Sequence, residues 1–407
     1  MSSLLINRNP IINGNASLLP SSKSISNRAL ILRALSGNQS DINNLSTARD
    51  TQLMQALINS PAKVIDVMDA GTTMRFLTAY FSLTGKNKVI TGSARMKERP
   101  IGLLVNALKE IGVTINYLEK EGFPPLEIIG FGGQRTEIVK IPGDVSSQYI
   151  SALMMTAAHL PKGLTIQLEG KIGSRPYIEM TASLLKDFGI ECDFTANRIS
   201  IPHGKFQPAS ITVEADWSAA SYWFAFVALA EVGKVTLPNI SEQSLQGDRA
   251  AVEVMGKLGV KTQFGKSVTQ LTKQPHNSTL EWDFTNCPDL AQTVLPVCAA
   301  KGIRGKFTGL ESLRIKETDR ILALQTELAK IGTTIQEENS SWNLFPGNFS
   351  EKKPIIIKTY HDHRMAMGLA PLATLMDIRI EDPEVVNKSY PGFWEDMKSV
   401  GFQITTI

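Results

Sequence analysis

Apolar residues along this chain recur in two kinds of helix-length pattern, separated by short alternating runs. The first kind is apolar nearly all round: SQYISALMMTAAHL from Ser147, SAASYWFAFVALAEV from Ser218, DLAQTVLPVCAAKG from Asp289 and HRMAMGLAPLATLM from His363, with the similar TTMRFLTAYFSL from Thr72. A helix without a polar face has to be wrapped on every side. The second kind is amphipathic and ends in a Lys-bearing turn closed by Gly112, Gly189, Gly259, Gly332 and Gly401. Glycine accepts the left-handed backbone that closes a helix, and lysine suits its negative end. Those glycines stand 77, 70, 73 and 69 residues apart, an internal repeat.

Strand-like runs lie between the helices: Lys88–Thr91, Leu164–Leu168, Ser210–Val213, Lys353–Ile357 and Phe402–Thr406. A first unit contains SNRALILRAL and a polar helix over about Thr47–Asn59, stopped before Pro61 rather than at a glycine. The chain therefore reads as six units, each with one buried helix, one amphipathic helix and short strands. Buried helices wrapped by sheets predict an α/β architecture turned inside out relative to the common α/β barrel. A length of 407 residues predicts two or three domains at the usual ~150 residues each, and six units suit two domains of three.

Composition narrows the class. At 43% hydrophobic and 20% charged the chain is globular. Its 42 Lys plus Arg against 39 Asp plus Glu leave a net charge of +3, which offers no general case for nucleic acid. The longest apolar stretch, Tyr222–Ala230, is far below the ~20 residues that span a bilayer, so no membrane association is expected. Cys192, Cys287 and Cys298 are odd in number and form no CxxC pair, which suits a reducing compartment. The opening Met1-Ser-Ser-Leu-Leu-Ile-Asn-Arg8 has no basic segment followed by a long apolar run. A cytoplasmic protein is expected.

Charged and small polar residues gather where helices begin. Ser22-Lys23-Ser24-Ile25-Ser26-Asn27-Arg28 opens one buried helix, Asp69-Ala-Gly71-Thr72-Thr73-Met-Arg75 the next, and Ser146-Ser147-Gln148 the third; Gly173-Ser174-Arg175-Pro176-Tyr177 opens an amphipathic one. Free N–H groups and the positive dipole end make such a start an anion cradle. Each could equally be plain N-capping, but several starts, each beside a cation or amide, point to an anionic small molecule. The second half is denser: Arg314-Ile-Lys316-Glu317-Thr318-Asp319-Arg320, then Tyr360-His361-Asp362-His363-Arg364. His361 and His363 would share one face of an extended segment, yet no partnering His or Cys set has ligand spacing, so no metal is expected.

Nine motifs occur in order: LPSSKSISNRAL from Leu19, DAGTTMR from Asp69, ERPI from Glu98, DVSSQYISAL from Asp144, SRPYI from Ser174, ADWSAASY from Ala215, LRIKETDR from Leu313, YHDHRMAM from Tyr360 and NKSYPGFW from Asn387. Together they resemble the 5-enolpyruvylshikimate-3-phosphate synthase family, within the broader enolpyruvyl transferases. The resemblance implies a two-domain inside-out α/β barrel with three βαβαββ units per domain. By it, residues 21–215 form the N-terminal-half domain, residues 1–20 and 216–407 a discontinuous C-terminal-half domain, and the site lies in the cleft between them. It implies phosphoenolpyruvate and shikimate 3-phosphate as substrates, no cofactor, and a monomer.

The resemblance also implies site residues. Lys23, Gly71, Arg99, Gln148, Arg320, Arg364 and Lys388 would surround phosphoenolpyruvate, whose carboxylate and phosphate suit arginine forks. Gly71 would let the backbone approach that ligand where a Cβ would crowd it. Lys23, Ser24, Arg28, Ser146, Ser147, Gln148, Ser174, Tyr177, Asp289, Ser312 and Lys316 would hold shikimate 3-phosphate. Catalysis would fall to Lys23, Asp289, Glu317 and Lys388. Asp289 would partner the attacking 5-hydroxyl, Glu317 or Lys388 would protonate the methylene carbon, and Asp289 or Glu317 would take the proton back from the methyl group.

Three residues depart from the family pattern: Asp69 for the usual Asn or small residue, Phe76 for Pro, and Ser21 for Gly. Asp69 would either turn away to cap the helix or be offset by Arg75. Sensitivity to glyphosate is expected where Gly71 is kept, subject to these changes. The competing readings are a UDP-N-acetylglucosamine enolpyruvyl transferase, which commonly uses a cysteine in the first half, and a noncatalytic anion-binding homologue. The chain has no Cys before Cys192, and it keeps Lys23, Asp289, Glu317, Arg320 and Lys388.

Overall fold

The structure is a computed structural model that describes residues 2–347 and 354–407. Lys353, the first residue of one expected strand, lies outside the described residues. The chain divides into two compact units, one of residues Lys23–Val213 and one of Met1–Ser22 with Glu214–Ile407. The dividing points differ from Pro20/Ser21 and Ala215/Asp216. Ser21 and Ala215 form a β-bridge, Ser22 N donates to Glu214 O at 2.8 Å and Asp216 N donates to Pro20 O at 2.8 Å, which keeps both crossing segments with the second of these units.

The unit Lys23–Val213 carries helices α1 (Lys23–Leu35), α2 (Arg49–Ile58), α3 (Gly71–Leu83), α4 (Ala94–Lys97), α5 (Gly102–Ile111), α6 (Ser147–Ala157) and α7 (Arg175–Asp187). The apolar helices α1, α3 and α6 are buried and touch one another. Helices α5 and α7 bury one stripe each, with residues such as Leu104, Leu108 and Ile111 at helical spacing. Gly112 closes α5 at φ 122°, and a Cβ there would lie 2.1 Å from Gly133 O, so only glycine fits.

In the other unit, α8 (Trp217–Leu229), α10 (Ala291–Ala300) and α12 (His363–Leu369) are the buried, mutually touching helices. Their amphipathic partners are α9 (Ala251–Lys257), α11 (Arg320–Ala329) and α13 (Phe393–Ser399). Every residue of α8 is buried except Ser218. Among the described residues six apolar helices and six partners thus stand where the periodicity puts them, and within each unit the apolar helices are the buried ones.

Among the described residues the sheets repeat one topology. Val64–Asp66, Lys88–Thr91, Leu126–Phe131 and Val113–Tyr117 lie side by side in that order, the first pair parallel and the others antiparallel. The same order and sense recur in Ile138–Pro142, Leu164–Glu169, Arg198–Ile201 and Asp193–Thr195. They recur again in the sheet that runs from Thr279–Asp283 through Arg304–Thr308 to Ser341–Phe345 and Thr334–Glu338. Two further sheets borrow a strand from the chain start: Ile11–Asn15 is the first strand beside Val232–Pro238, and Ser3–Ile6 sits between Ile378–Glu381 and Ile404–Thr406.

One unit departs from the expected βαβαββ count. The α1–α2 unit has only two strands, Asp41–Asn43 parallel to Ser210–Thr212. Helix α2 ends at Ile58, and the chain passes Pro61 directly into Val64–Asp66, the first strand of the next sheet. No residues remain there for an antiparallel pair.

Candidate active site

In the unit Lys23–Val213 the polar starts of four helices hold the expected residues. Lys23 is the first residue of α1, and its Nζ pairs with the buried Asp50 carboxylate of α2 at 3.0 Å. The carboxylate holds the ammonium at the helix start, an arrangement the sequence spacing did not reveal. Ser24 follows Lys23 and gives its carbonyl to Arg28. Arg28 is 2% exposed, and its guanidinium donates to Thr181 Oγ1 at 2.7 Å, Ser151 Oγ at 2.9 Å and Ser24 O at 2.9 Å. Phe76 and Tyr177 place their rings 5.3 and 5.8 Å from its centre. Phe76, one of the family departures, therefore packs on a candidate substrate arginine. Burial lowers the Arg28 pKa to about 10, which leaves it cationic at neutral pH.

At the start of α3, Gly71 faces Arg99. A Cβ on Gly71 would lie 2.7 to 2.9 Å from the Arg99 guanidinium atoms. A side chain at this position would therefore press on the movable end of Arg99. Gln148 Nε2 donates to Thr72 Oγ1 at 3.0 Å, which joins the starts of α6 and α3. Ser146 caps α6 by accepting from Gln148 N at 3.4 Å, and Ser147 is buried behind it. Ser174 begins α7 at φ 51°, a strained conformation for a residue with a Cβ, and its side chain makes no capping hydrogen bond.

Asp69 has a partner that neither expectation named. Its carboxylate pairs with Arg49 at 2.7 Å, the cap position of α3 is Ala70, and Arg75 donates to Gly71 O at 3.3 Å and Pro100 O at 2.8 Å. Arg49, on α2, was invisible as a partner because it belongs to the preceding helix.

In the other unit the expected charged residues form one ionic network. Arg320, 2% exposed at the start of α11, donates Nε to Asp362 Oδ2 at 2.7 Å, Nη1 to Asp289 Oδ1 at 2.9 Å and Nη2 to Glu317 Oε2 at 3.0 Å. The second Asp289 oxygen accepts from Arg364 Nη2 at 2.9 Å, and Glu317 Oε1 lies 3.2 Å from Lys388 Nζ. Asp289 stands in the turn Pro288–Leu290, Ser312 in the turn Glu311–Ile315 with Lys316 just after it, and Lys388 ends the turn Pro383–Lys388. Burial alone would raise the Asp289 pKa, but Arg364, Lys316 and Arg320 outweigh it and hold the carboxyl well below the usual range. Burial likewise opposes the charge of Arg320, while Asp362, Glu317 and Asp289 together push its pKa above the ordinary value.

The sequence reading did not assign Asp362, Ser218 or Asp248. Asp362 caps α12 and clamps Arg320. The YHDHR run held a signal for it, since an acid just before a helix with a cation two residues on is a cap. The two histidines of that run do not share a face. Tyr360 and His361 take left-handed backbone, so His361 is exposed and pairs with Asp382 at 3.1 Å, while His363 is buried in α12. Among the described residues no group of three or more His, Cys, Asp or Glu side chains could hold a metal ion. Likewise, no helix there is long and apolar enough to cross a membrane.

Acids alternating with arginines and lysines around Asp289, and cationic helix starts around Gly71, suit ligands rich in phosphate and carboxylate. Comparison with known proteins agrees. The family profile "EPSP synthase (3-phosphoshikimate 1-carboxyvinyltransferase)" matches residues 12–60 and 55–397. A 3-phosphoshikimate 1-carboxyvinyltransferase of Bacteroides fragilis (strain YCH46) is 47% identical over 393 residues, covering 95% of each chain. One from Idiomarina loihiensis is 36% identical over 409 residues, covering 93% of this chain and 94% of the relative. The solved EPSP synthase of Acinetobacter baumannii shares the fold with a TM-score of 0.77 at 19% identity, covering both chains fully. The chain belongs to the EPSP synthase family, the 3-phosphoshikimate 1-carboxyvinyltransferases.

Proposed function

We propose that the protein transfers the carboxyvinyl group of phosphoenolpyruvate to the 5-hydroxyl of shikimate 3-phosphate and releases inorganic phosphate. Family membership supports the reaction, and one observation carries the assignment of its chemistry: Asp289 holds both oxygens on arginines, with Glu317 bridging Arg320 and Lys388. A proton donor and a proton acceptor are thereby tied into one network with the cations that an anionic donor substrate needs.

Phosphoenolpyruvate is assigned to Lys23, Gly71, Arg99, Gln148, Arg320, Arg364 and Lys388. Shikimate 3-phosphate is assigned to Lys23, Ser24, Arg28, Ser146, Ser147, Gln148, Ser174 and Tyr177, with Asp289, Ser312 and Lys316. In the addition step, Glu317 or Lys388 delivers a proton to the methylene carbon, and the 5-hydroxyl oxygen bonds to the adjacent carbon while its proton passes to Asp289. In the elimination step, the C–O bond to phosphate breaks with its electron pair leaving on the phosphate, which takes up the proton that Asp289 accepted, and Asp289 or Glu317 removes a proton from the new methyl group.

Asp289 is a weak base while its arginines hold it ionised. An incoming carboxylate or phosphate draws those arginines away, and the Asp289 pKa rises toward a value suited to proton transfer. Substrate binding thus switches on the base. The network also turns the cations inward onto carboxylates before any ligand arrives, so each arginine is already oriented.

The test is phosphate release from phosphoenolpyruvate with shikimate 3-phosphate, run beside UDP-N-acetylglucosamine as acceptor. Release with shikimate 3-phosphate alone is expected, and release only with the UDP-sugar would replace this reading by the other enolpyruvyl transfer. The protein is proposed to act as a cytoplasmic monomer without cofactor.

A further inference from the structure

Asp248 is a buried carboxyl to which the reaction above gives no task. It lies in the turn Gly247–Ala250 and is 1% exposed. Its Oδ2 accepts from the Ser218 hydroxyl, while its Oδ1 is buried without a hydrogen-bond partner among the described residues. A buried acceptor left unpaired costs stability, so a purely structural role would be served better by an apolar residue or by an amide with both ends paired.

The other side of Ser218 leads into the site. Arg364 Nη2 donates to Ser218 Oγ at 3.2 Å and, with the same nitrogen, to Asp289 Oδ2 at 2.9 Å. The hydroxyl therefore accepts from the arginine and donates to Asp248, and it is the one residue of α8 that is not fully buried. The turn carrying Asp248 is itself fixed. Gln246 Nε2 donates to Glu214 Oε1 at 2.9 Å and Ala215 O at 2.8 Å, and its Oε1 accepts from Trp217 N at 3.1 Å.

We propose that Asp248 is a positioning residue for phosphoenolpyruvate binding, which acts through the Ser218 hydroxyl to hold the Arg364 guanidinium in place. This rests on the assignment of Arg364 to that substrate. When the substrate's anionic group competes with the Asp289 carboxylate for Arg364, the Ser218 contact to Nη2 at 3.2 Å holds the guanidinium, beside longer contacts from Nη1 to Tyr222 Oη and Asp289 O at 3.5 Å. Hydroxyl-mediated contact also keeps a second full negative charge out of direct reach of the arginine, so the cation stays available to the ligand.

The charge of Asp248 is set by its surroundings. Burial raises its pKa to about 7, the nearby Asp289 carboxylate and Asp216 add to the rise, and Arg364 and the Ser218 hydrogen bond oppose it. From α8 and its cap the groups that face it are Ser218 and Asp216, from the turn before α10 Asp289 and Cys287, and from α12 Arg364. The charged residues of α9, Glu253 and Lys257, pair with each other at 3.1 Å.

The experiment is steady-state phosphate release by the full chain, with shikimate 3-phosphate saturating and phosphoenolpyruvate varied, for wild type, Asp248→Asn, Ser218→Ala and the double variant. Each single change should raise the KM for phosphoenolpyruvate on the order of fivefold, Ser218→Ala by deleting an oriented hydrogen bond and Asp248→Asn by replacing a carboxylate acceptor with a weaker neutral amide, with kcat nearly unchanged. The double variant should match the singles, because both residues act along one path. The ratio of wild-type to Asp248→Asn kcat/KM should also change with pH around neutrality, where the substrate's own ionisations cancel. An unchanged KM in Asp248→Asn, multiplying effects in the double variant, or a fall in kcat alone would each overturn the proposal. Turnover by the wild type in the same series tests the functional reading separately, so a silent Asp248→Asn result counts against this proposal only.

Discussion

Gly71 and Arg99 share a space that only one of them can fill: a Cβ on Gly71 would lie 2.7 Å from one guanidinium nitrogen of Arg99 and 2.8 Å from the other. The atoms in the way are the far end of a long side chain, so Gly71→Ala should displace Arg99 rather than unfold α3. The KM for phosphoenolpyruvate should rise roughly tenfold or more, as when a charged hydrogen bond is lost, with little change in Tm. Kinetics beside a thermal melt checks this, and an unchanged KM would separate Arg99 from the substrate.

The Arg49–Asp69 pair makes a second prediction. The pair is partly exposed and worth little to stability, but Asp69 stands two residues before Gly71. Arg49→Ala removes one cationic partner of that negative charge, beside the helix start assigned to phosphoenolpyruvate. The KM for phosphoenolpyruvate should rise severalfold and more so at low salt, and adding Asp69→Asn should restore it. Failure of the rescue would show that Arg49 acts in some other way.

Asp289 is the assigned acceptor of the hydroxyl proton. Asp289→Ala should retain both ligands while turnover falls by about 100-fold or more, the usual weight of a positioned base. Ligand affinity by calorimetry beside kcat measures the two effects separately; unchanged turnover would remove Asp289 from the mechanism.

Asp248 supplies a stability prediction whose sign follows from its surroundings. Its folded pKa, about 7, is raised above the ordinary carboxyl value by burial. Such a group stabilises the fold fully below its unfolded pKa, and that contribution is lost as pH rises through the folded value. Above neutrality the ionised carboxylate is a cost that Asp248→Asn removes. The ligand-free variant should therefore melt higher than wild type at pH 8, by on the order of 2–4 °C, with the gap closing toward pH 4. Melting curves across that range decide it, and a gap that widens toward acid would reverse the assignment of charge.

Much of the fold was legible before any coordinates. The stretch WSAASYWFAFVAL has no polar face, so it could only be a helix at the centre of something, and α8 is that helix. Helix ends at Gly112 and Gly401 were equally readable, because a left-handed closing residue is a local requirement. What the pattern did not carry was the source of partner strands. Ser3–Ile6 pairs with Ile378–Glu381, and Ser210–Thr212 completes the α1 unit through Asp41–Asn43. A β-strand's alternation shows which face is buried, and it does not name the neighbour across the ladder.

The site divides along the same line. That cations and hydroxyls gather at helix starts follows from local chemistry, since those positions expose N–H groups, and the motifs from Lys23 to Lys388 could be read directly. Their partners were a matter of tertiary contact: Asp50 for Lys23, Arg49 for Asp69, Arg99 beside Gly71, Asp362 behind Arg320 and Asp248 behind Ser218. Only Asp362 announced itself in sequence, as a cap. Residue types state which charges a helix start can offer, whereas the protonation and orientation of each charge depend on what folding brings within about 3 Å of it.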